Sequence, residues 1–204
     1  TSDKGLCGGF NGNIIRRTLR LMEEKKGCNI LLAIAGKKGR DYFRAKRYSI
    51  LKEYADSLMV SGYQRAAIIT KDVTDAYVLE SVDSIYMVYN EFKSVIQQRI
   101  VAECLLPIPP LVCKPGEEPV DYLYEPSAEI ILNELLNKYV DVEVYRTLLE
   151  SIASEHGARM TAMDSATRNA GEMIDKLTLN YNRARQAAIT KEIIEVVSGA
   201  DALK

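Results

Sequence analysis

The segment that decides the fold is residues 142–188, VEVYRTLLESIASEHGARMTAMDSATRNAGEMIDKLTLNYNRARQAA. Mostly apolar or small residues recur along it and form one stripe, at Val142, Tyr145, Leu149, Ile152, His156, Met160, Met163, Ala166, Ala170, Met173, Leu177, Tyr181, Ala184 and Ala188. Between residues 142 and 188 the stripe takes 13 steps over 46 residues, a mean of about 3.5 residues per step. That spacing is typical of a coiled coil rather than of a straight helix, and it predicts a long helix with an apolar seam.

The length of this helix limits how it is arranged. If residues 127–198 were all helical, they would extend over about 108 Å, far beyond the diameter of a compact chain of this size. The helix is therefore expected either to project or to break near Tyr139–Glu143 and fold back. No proline follows Pro126, which favours projection. No other segment is comparably long, so the partner helix is expected in a missing stretch or in another polypeptide.

The seam is weak in its second half. Ala166, Ala170, Ala184 and Ala188 allow close approach but bury little area, at roughly 25 cal/mol per Å². Polar side chains such as Asn180 lie beside them. Two interpretations stay open on periodicity alone: a slim shaft that contacts other molecules, or an ordinary surface helix with a weak seam.

The residues before the proline-containing stretch alternate between strand and helix patterns. Strands are predicted at residues 28–35 (CNILLAIA), 84–89 and 97–105, and helices at residues 12–26 and 72–81. Strands interleaved with helices are typical of an α/β unit with a largely parallel sheet. The short EFKS link between the last two strands predicts an antiparallel hairpin at one edge.

Composition excludes several classes of function. With 27 basic and 28 acidic residues the net charge is −1, which argues against a nucleic-acid binder. No window approaches the roughly 18 apolar residues of a membrane span. Four cysteines without a CxxC pair indicate reduced thiols, and a single histidine argues against metal sites and triads. Residues 1–4 lead directly into a glycine loop, so upstream sequence is expected to be missing.

Three motifs together resemble a known family. The opening SDKGLCGGFNGN, the middle YLYEP and the end ASEHGARMTAMDSATRNAGEMIDKLTLNYNRARQAAITKEIIEVVSGADAL are similar to the gamma subunit of the rotary F-type ATP synthase, in a bacterial-like form. The resemblance implies a Rossmann-like α/β domain followed by a long C-terminal coiled-coil helix. It also implies that the family's N-terminal helix, the natural partner of the seam, is absent. The predicted segments are an α/β domain at residues 1–106, a proline-rich connection at 107–126 and the shaft helix at 127–204.

The function that the resemblance implies is mechanical. In the family this subunit is the central stalk, which couples proton-driven rotation of the membrane ring to ATP synthesis at the beta catalytic sites. The implied partners are the hexamer of alpha and beta subunits, the epsilon subunit and the c-type ring, with no nucleic acid, and the unpaired shaft is expected to self-associate. The implied location is peripheral, on the cytoplasmic face of the bacterial plasma membrane. No catalytic residue, cofactor or metal is expected.

The resemblance also implies contact residues. Those for the beta subunit are Lys4, Cys7, Arg159, Arg185, Gln186, Thr190 and Glu192, and those for the membrane ring are Tyr122, Tyr124 and Glu125. Exposed charge pairs of this kind contribute only about 0–1 kcal/mol, which suits contacts that must exchange as a shaft turns.

Structural roles are weighed against binding roles at the other candidate sites. The glycines of GLCGGFNG (residues 5–12) lack the lysine of a P-loop and the spacing of a dinucleotide fingerprint, so a tight turn into a helix is the favoured explanation. The bases at residues 37–47 indicate either a solvated face or contact with an acidic surface or anionic lipid. His156 is expected in the core or seam rather than at a metal. The rival functions are a nucleotide-binding α/β protein and a coiled-coil scaffold without a rotary role.

Overall fold

The computed structural model describes residues 1–54, 62–95, 97–108, 124–125 and 127–201. The elements in chain order are α1 (Phe10–Glu24), β1 (Leu32–Ile34), α2 (Lys37–Ala45), β2 (Ile50–Glu53), α3 (Gly62–Val78), β3 (Ile85–Phe92), β4 (Gln98–Leu106) and α4 (Ala128–Asp201). The chain divides into a first unit, residues 1–161, and a second unit, residues 162–204. Helix α4 contributes residues to both. The segment bounds at 1–106, 107–126 and 127–204 stay a prediction.

The strands of the described residues form two separate two-stranded sheets. Strand β1 pairs in parallel with β2, and β3 pairs with β4 in an antiparallel hairpin over eight residue pairs, from Ile85↔Leu106 to Phe92↔Gln98. The predicted hairpin is confirmed. The expectation of a largely parallel sheet is wrong for these residues, because the longest strands are joined by a link of five residues, which is too short for a parallel crossover.

Several element bounds differ from the sequence prediction. Residues 25–28 form a turn in which Cys28 N–H donates to the Lys25 carbonyl at 3.1 Å, so the apolar run 28–35 is strand only in its second half. The basic run 37–47 lies mostly in α2, which was not predicted, and buried Phe43 anchors this helix. Helix α3 begins ten residues before the predicted Asp72, because Ala66, Thr70 and Val73 lie on its buried face.

Helix α4 packs on the first unit with a face that differs from the predicted seam. The face is buried at Val140, Val144, Thr147, Ser154 and Gly157. The neighbouring stripe is exposed, and Val142, Leu149, Ile152 and Met160 keep 59%, 46%, 42% and 66% of their surface. The helix is continuous across residues 139–143, so the break considered there does not occur.

Two apolar clusters hold the first unit together. The larger joins Ala66 and Val73 of α3 to Leu105 and Leu106 of β4 and to Val140 and Val144 of α4. The smaller joins Cys7, Phe10 and Ile14, with Val88 and Ala158 packed against them. Both clusters include residues of α4, so this helix is part of the core of the first unit. Among the residues described, no helix has the length and apolar character needed to cross a bilayer.

Candidate partner-contact surfaces

The glycine loop at residues 1–9 turns the chain into α1 and presents two side chains. Ser2 N–H donates to Asn11 Oδ1 at 2.9 Å, and Ser2 Oγ donates to the Lys4 carbonyl at 2.6 Å. Gly8 has a φ of 55°, a conformation that glycine adopts without strain. The glycines therefore act as a turn, as the sequence favoured. Lys4 is exposed, and Leu6 exposes 74% of its surface with a φ of 63°.

The side chain of Cys7, in the same loop, is buried in the core rather than exposed. Its residue surface is 2% exposed, and Asn11 Nδ2 donates to its sulfur at 3.2 Å. A thiol enclosed by Phe10, Ile14, Val88 and Ala158 acts as a small apolar packing residue. The side chain of Cys7 therefore holds the loop against α1, and its predicted role in beta-subunit contact stays a prediction.

Arg159 connects α4 to the same loop. Its Nε and Nη2 both lie 3.4 Å from the Gly5 carbonyl oxygen, and Nη2 donates to Glu155 Oε1 at 2.6 Å. The structure thus places Arg159 against the loop that carries Lys4 and Cys7, although Arg159 is more than 150 positions later in the chain. Sequence spacing could not reveal this cluster, since only tertiary packing creates it. Leu6, which the sequence reasoning did not single out, is the most exposed apolar side chain of the loop.

The other predicted beta-contact residues lie on α4 in the second unit. Arg185, Gln186, Thr190 and Glu192 are all exposed. Arg185 and Glu192 are seven positions apart and share one line along the helix, and Gln186 and Thr190 form a second line. Among the ring-contact residues, Tyr122 lies outside the described residues, Tyr124 exposes 42% of its surface, and Glu125 is exposed.

A charged cluster on the buried side of α4 was not foreseen. Arg146 donates from Nη2 to Glu143 Oε2 at 2.6 Å, from Nη1 to Glu150 Oε1 at 2.8 Å, and from Nη2 to Glu103 Oε1 of β4 at 3.2 Å. Tyr89 OH also donates to Glu103 Oε1, at 3.0 Å. Burial raises the pKa of Tyr89 to about 12, although the hydrogen bond from Arg146 opposes the rise. The spacing of Glu143, Arg146 and Glu150 was the signal in the sequence.

Neither the basic run at residues 37–47 nor His156 forms part of a recognisable binding site. On α2, Arg44 pairs with Glu53 at 2.7 Å and Arg40 with Asp41 at 3.0 Å, so part of the run is neutralised within the chain. His156 is exposed rather than in a core. Among the described residues, no three His, Cys, Asp or Glu side chains lie close enough to hold a metal ion.

Comparison with known proteins identifies the family. The sequence model described as ATP synthase matches residues 1–203. The whole chain aligns with the ATP synthase gamma chain of Geobacter sp. (strain M21) at 48% identity over 206 residues, covering 71% of that protein. It aligns with the gamma chain of Anaeromyxobacter sp. (strain Fw109-5) at 51% identity, again over 71% of that protein. The chain belongs to the ATP synthase gamma chain family.

Solved structures agree with this family assignment. The central stalk of the mitochondrial ATP synthase of Tetrahymena thermophila, solved with its c-ring, matches at a TM-score of 0.61 and 28% identity, over 82% of this chain and 73% of that one. A chain of the Euglena gracilis mitochondrial ATP synthase matches at a TM-score of 0.70 and 18% identity, over 100% of this chain and 70% of that one. The second likeness shows the fold alone. This chain has an α/β unit whose core includes part of a long C-terminal helix, and that is the fold of ATP synthase gamma chains.

Proposed function

We propose that this chain is the central-stalk rotor subunit of an F-type ATP synthase, coupling proton-driven rotation of the membrane ring to ATP synthesis at the beta catalytic sites. The observation that carries the proposal is the match to gamma chains along the entire sequence at about half identity. A nucleotide-binding protein or a coiled-coil scaffold of another family would not be expected to align with gamma chains along all of its own residues.

The mechanism is coupling between a rigid element and a ring of binding sites. Each angular position of the stalk fits one arrangement of the surrounding hexamer, and each arrangement sets a different nucleotide affinity at a beta site. Helix α4 supplies the stiff element, because a continuous helix resists bending and twisting through every backbone hydrogen bond along it. Weak exchangeable surface contacts are sufficient, since tight ones would stall the turn.

The proposed partners are the alpha and beta subunits, the epsilon subunit and the c-type ring, with no nucleic acid. Lys4 and Arg159 at the glycine loop, with Cys7 holding that loop in place, form one proposed beta contact. Arg185, Gln186, Thr190 and Glu192 form the other. Tyr122, Tyr124 and Glu125 form the proposed ring contact. The exposure of Lys4, Tyr124 and the four α4 residues supports these assignments. The proposed location is the cytoplasmic face of the bacterial plasma membrane, held there by the other subunits.

A chimaera tests the proposed function. The matching segment of the Geobacter gamma chain is replaced by this sequence, and the chimaera is assembled with the other Geobacter ATP synthase subunits in vesicles. We expect ATP-driven proton pumping, measured by quenching of a pH-sensitive dye, that an uncoupler abolishes. A chimaera that assembles but supports no pumping, beside an active parent complex, contradicts the proposal.

The chain is expected to have no catalytic activity of its own and no nucleotide site. Its glycine loop has no P-loop lysine, and hydrogen bonds to Asn11 and Lys4 within the loop already occupy Ser2. Titration calorimetry with Mg-ATP should therefore give no heat beyond dilution. A micromolar dissociation constant would contradict this prediction and favour the nucleotide-binding alternative.

The exposed stripe of α4 is expected to make this chain self-associate. Large apolar side chains remain exposed along it in both units, including Leu149, Ile152, Met160, Met173 and Leu177. Exposed apolar strips of this kind, in either unit, are larger than monomers usually leave in water, and antiparallel pairing of two copies would cover them. Sedimentation velocity over a hundredfold range of concentration should show a monomer–dimer equilibrium. A compact monomer throughout would overturn the expectation.

As a control for that experiment, Met173→Lys and Leu177→Lys place charges on the exposed stripe and should abolish the dimer. Lys substitutions at Arg168 and Arg183, which are already charged, should leave it intact.

A further inference from the structure

We propose that the β3–β4 hairpin and α4 are locked in one register by a ladder of directional contacts, and that this lock carries torque between the α/β unit and the helix. The proposal rests on the rotor function proposed above. The ladder has three rungs, at Arg146, Ser154 and Thr161, all within the first unit.

The first rung is the Arg146 cluster. The guanidinium lies between Glu143 and Glu150 of its own helix and reaches across to Glu103 of β4 at 3.2 Å. Its carbon Cζ lies 5.9 Å from the ring centroid of Tyr89 on β3. Because Glu143 and Glu150 hold the guanidinium in place on the helix, its planar fork faces the hairpin in one orientation.

The second rung is fully enclosed. Ser154 has no exposed surface, and its Oγ donates to the Asn90 carbonyl of β3 at 3.1 Å. Asn90 itself is 2% exposed. A hydroxyl buried this deeply must keep its acceptor, because an unpaired buried donor is costly. The contact therefore resists any movement of the helix along the strand.

The third rung is at the tip of the hairpin. Thr161 Oγ1 lies 3.3 Å from the Val95 carbonyl oxygen and 3.1 Å from the Gly157 carbonyl of its own helix. At Gly157 the two elements nearly touch, since a Cβ there would lie 3.3 Å from Phe92 Cε2 and 3.5 Å from Val95 Cα. The missing side chain allows the approach that brings Thr161 within reach.

The spacings of helix and strand match between the contacts of Thr147 and Ser154. Thr147, Ser154 and Thr161 are seven residues apart, about 10.5 Å along a helix, and Thr147 Oγ1 lies 3.7 Å from Met87 Sδ. Met87 and Asn90 are three residues apart on β3, about 10 Å along a strand. The same shift thus aligns Thr147 with Met87 and Ser154 with Asn90, and a slip of one helical turn, about 5.4 Å, would carry Ser154 away from the Asn90 carbonyl.

The lock adds what the apolar core does not supply. The contacts of Val140 and Val144 with the larger apolar cluster are non-directional and stay favourable after a small rotation. The ladder hydrogen bonds are directional and weaken steeply when misaligned. Under a twisting load, the ladder therefore fixes the register of α4 on the hairpin, while the apolar core supplies most of the free energy that holds the two elements together.

One test loosens the lock in the assembled complex. The variant Arg146→Gln/Ser154→Ala/Thr161→Val removes the cross-element contacts and is compared with Arg17→Gln/Ser151→Ala/Thr18→Val. The control makes the same chemical changes, at an ion pair and a hydroxyl contact within α1 and at Ser151, a half-buried serine of α4 that lines a groove with Thr1 and Arg65. Both are built in the Geobacter chimaera. Proton pumping and ATP hydrolysis are measured on the same vesicles, and ATP hydrolysis is measured again on the complex detached from the membrane.

Losing these hydrogen bonds should lower the population of the aligned register by roughly tenfold or more. We expect pumping per ATP hydrolysed to fall severalfold, while ATP hydrolysis by the complex detached from the membrane stays at the control level. A merely structural role would lower assembly or both activities together. An unchanged ratio of pumping to hydrolysis would overturn the proposal.

A second test tightens the lock. The pair Val95→Cys/Thr161→Cys is oxidised to a disulfide in the assembled chimaera, with each single cysteine variant as a control. If the register is fixed during turnover, the cross-linked complex should pump as fast as its reduced form. Inhibition that a reducing agent reverses, or failure of the pair to cross-link, would overturn the proposal. A wild-type chimaera that does not pump would instead count against the rotor function itself.

Discussion

Replacing Val144 with aspartate is expected to lower the free energy of unfolding of the first unit by about 4 kcal/mol, the cost of an unpaired charge in an apolar core. Val144 is 4% exposed and packs with Ala66, Val73, Leu105 and Leu106. No water reaches a carboxylate there, so the group must either stay charged without a partner or bind a proton. Because a domain is stable by only about 5–15 kcal/mol, this loss should unfold a large fraction of it.

The matched control lies two residues earlier. Val142→Asp introduces the same charge on the same helix, but Val142 exposes 59% of its surface, and the expected loss is below about 0.5 kcal/mol. Urea denaturation followed by circular dichroism at pH 7 compares the two variants in dilute solution. In a second series at pH 4, the difference between the unfolding free energies of the two variants should be smaller. Burial raises the pKa of a carboxyl, so the aspartate at position 144 binds a proton there and loses its charge. Equal losses at the two positions would show that α4 packs by a different face.

Replacing Gly36 with alanine is expected to cost about 3 kcal/mol, from a strained backbone and an overlap together. Gly36 is buried with a φ of 100°, and a Cβ there would overlap the backbone carbonyl of Thr1. The overlap cannot be relieved cheaply. Thr1 Oγ1 donates to the Ala35 carbonyl at 3.0 Å and accepts from Gly39 N–H at 2.9 Å, which fixes the residue in place.

Gly27→Ala separates the two contributions. Gly27 has nearly the same φ, 105°, but a Cβ there would meet nothing within 4 Å. This variant should lose only the backbone part, about 1 kcal/mol. The midpoint of thermal unfolding for both variants provides the measurement. If the two losses were equal, the segment 1–3 would not press on Gly36, and the packing of this segment on α2 would be contradicted.

The sequence alone determined the class of fold and the family. A 3.5-residue repeat from Val142 to Ala188 required a long helix, because no other regular structure puts such a stripe on one side. The β3–β4 hairpin followed from two strand patterns with a short link. The family followed from three sequence motifs, which need no contact information. These features depend on residues that are close together in the chain, so they can be predicted from the sequence alone.

The tertiary structure alone decided which faces meet. The stripe identified the most apolar face of α4, yet the α/β unit packs on the neighbouring face of valines and small residues, where Gly157 lets the hairpin approach closely. The sequence could not weigh these faces, since the preference depends on shape and on hydrogen bonds to residues far along the chain. Arg159 meets Gly5 across 154 positions and Ser154 meets Asn90 across 64. Such pairs are selected by the packed core as a whole, because each hydrogen bond alone is too weak to specify its partner.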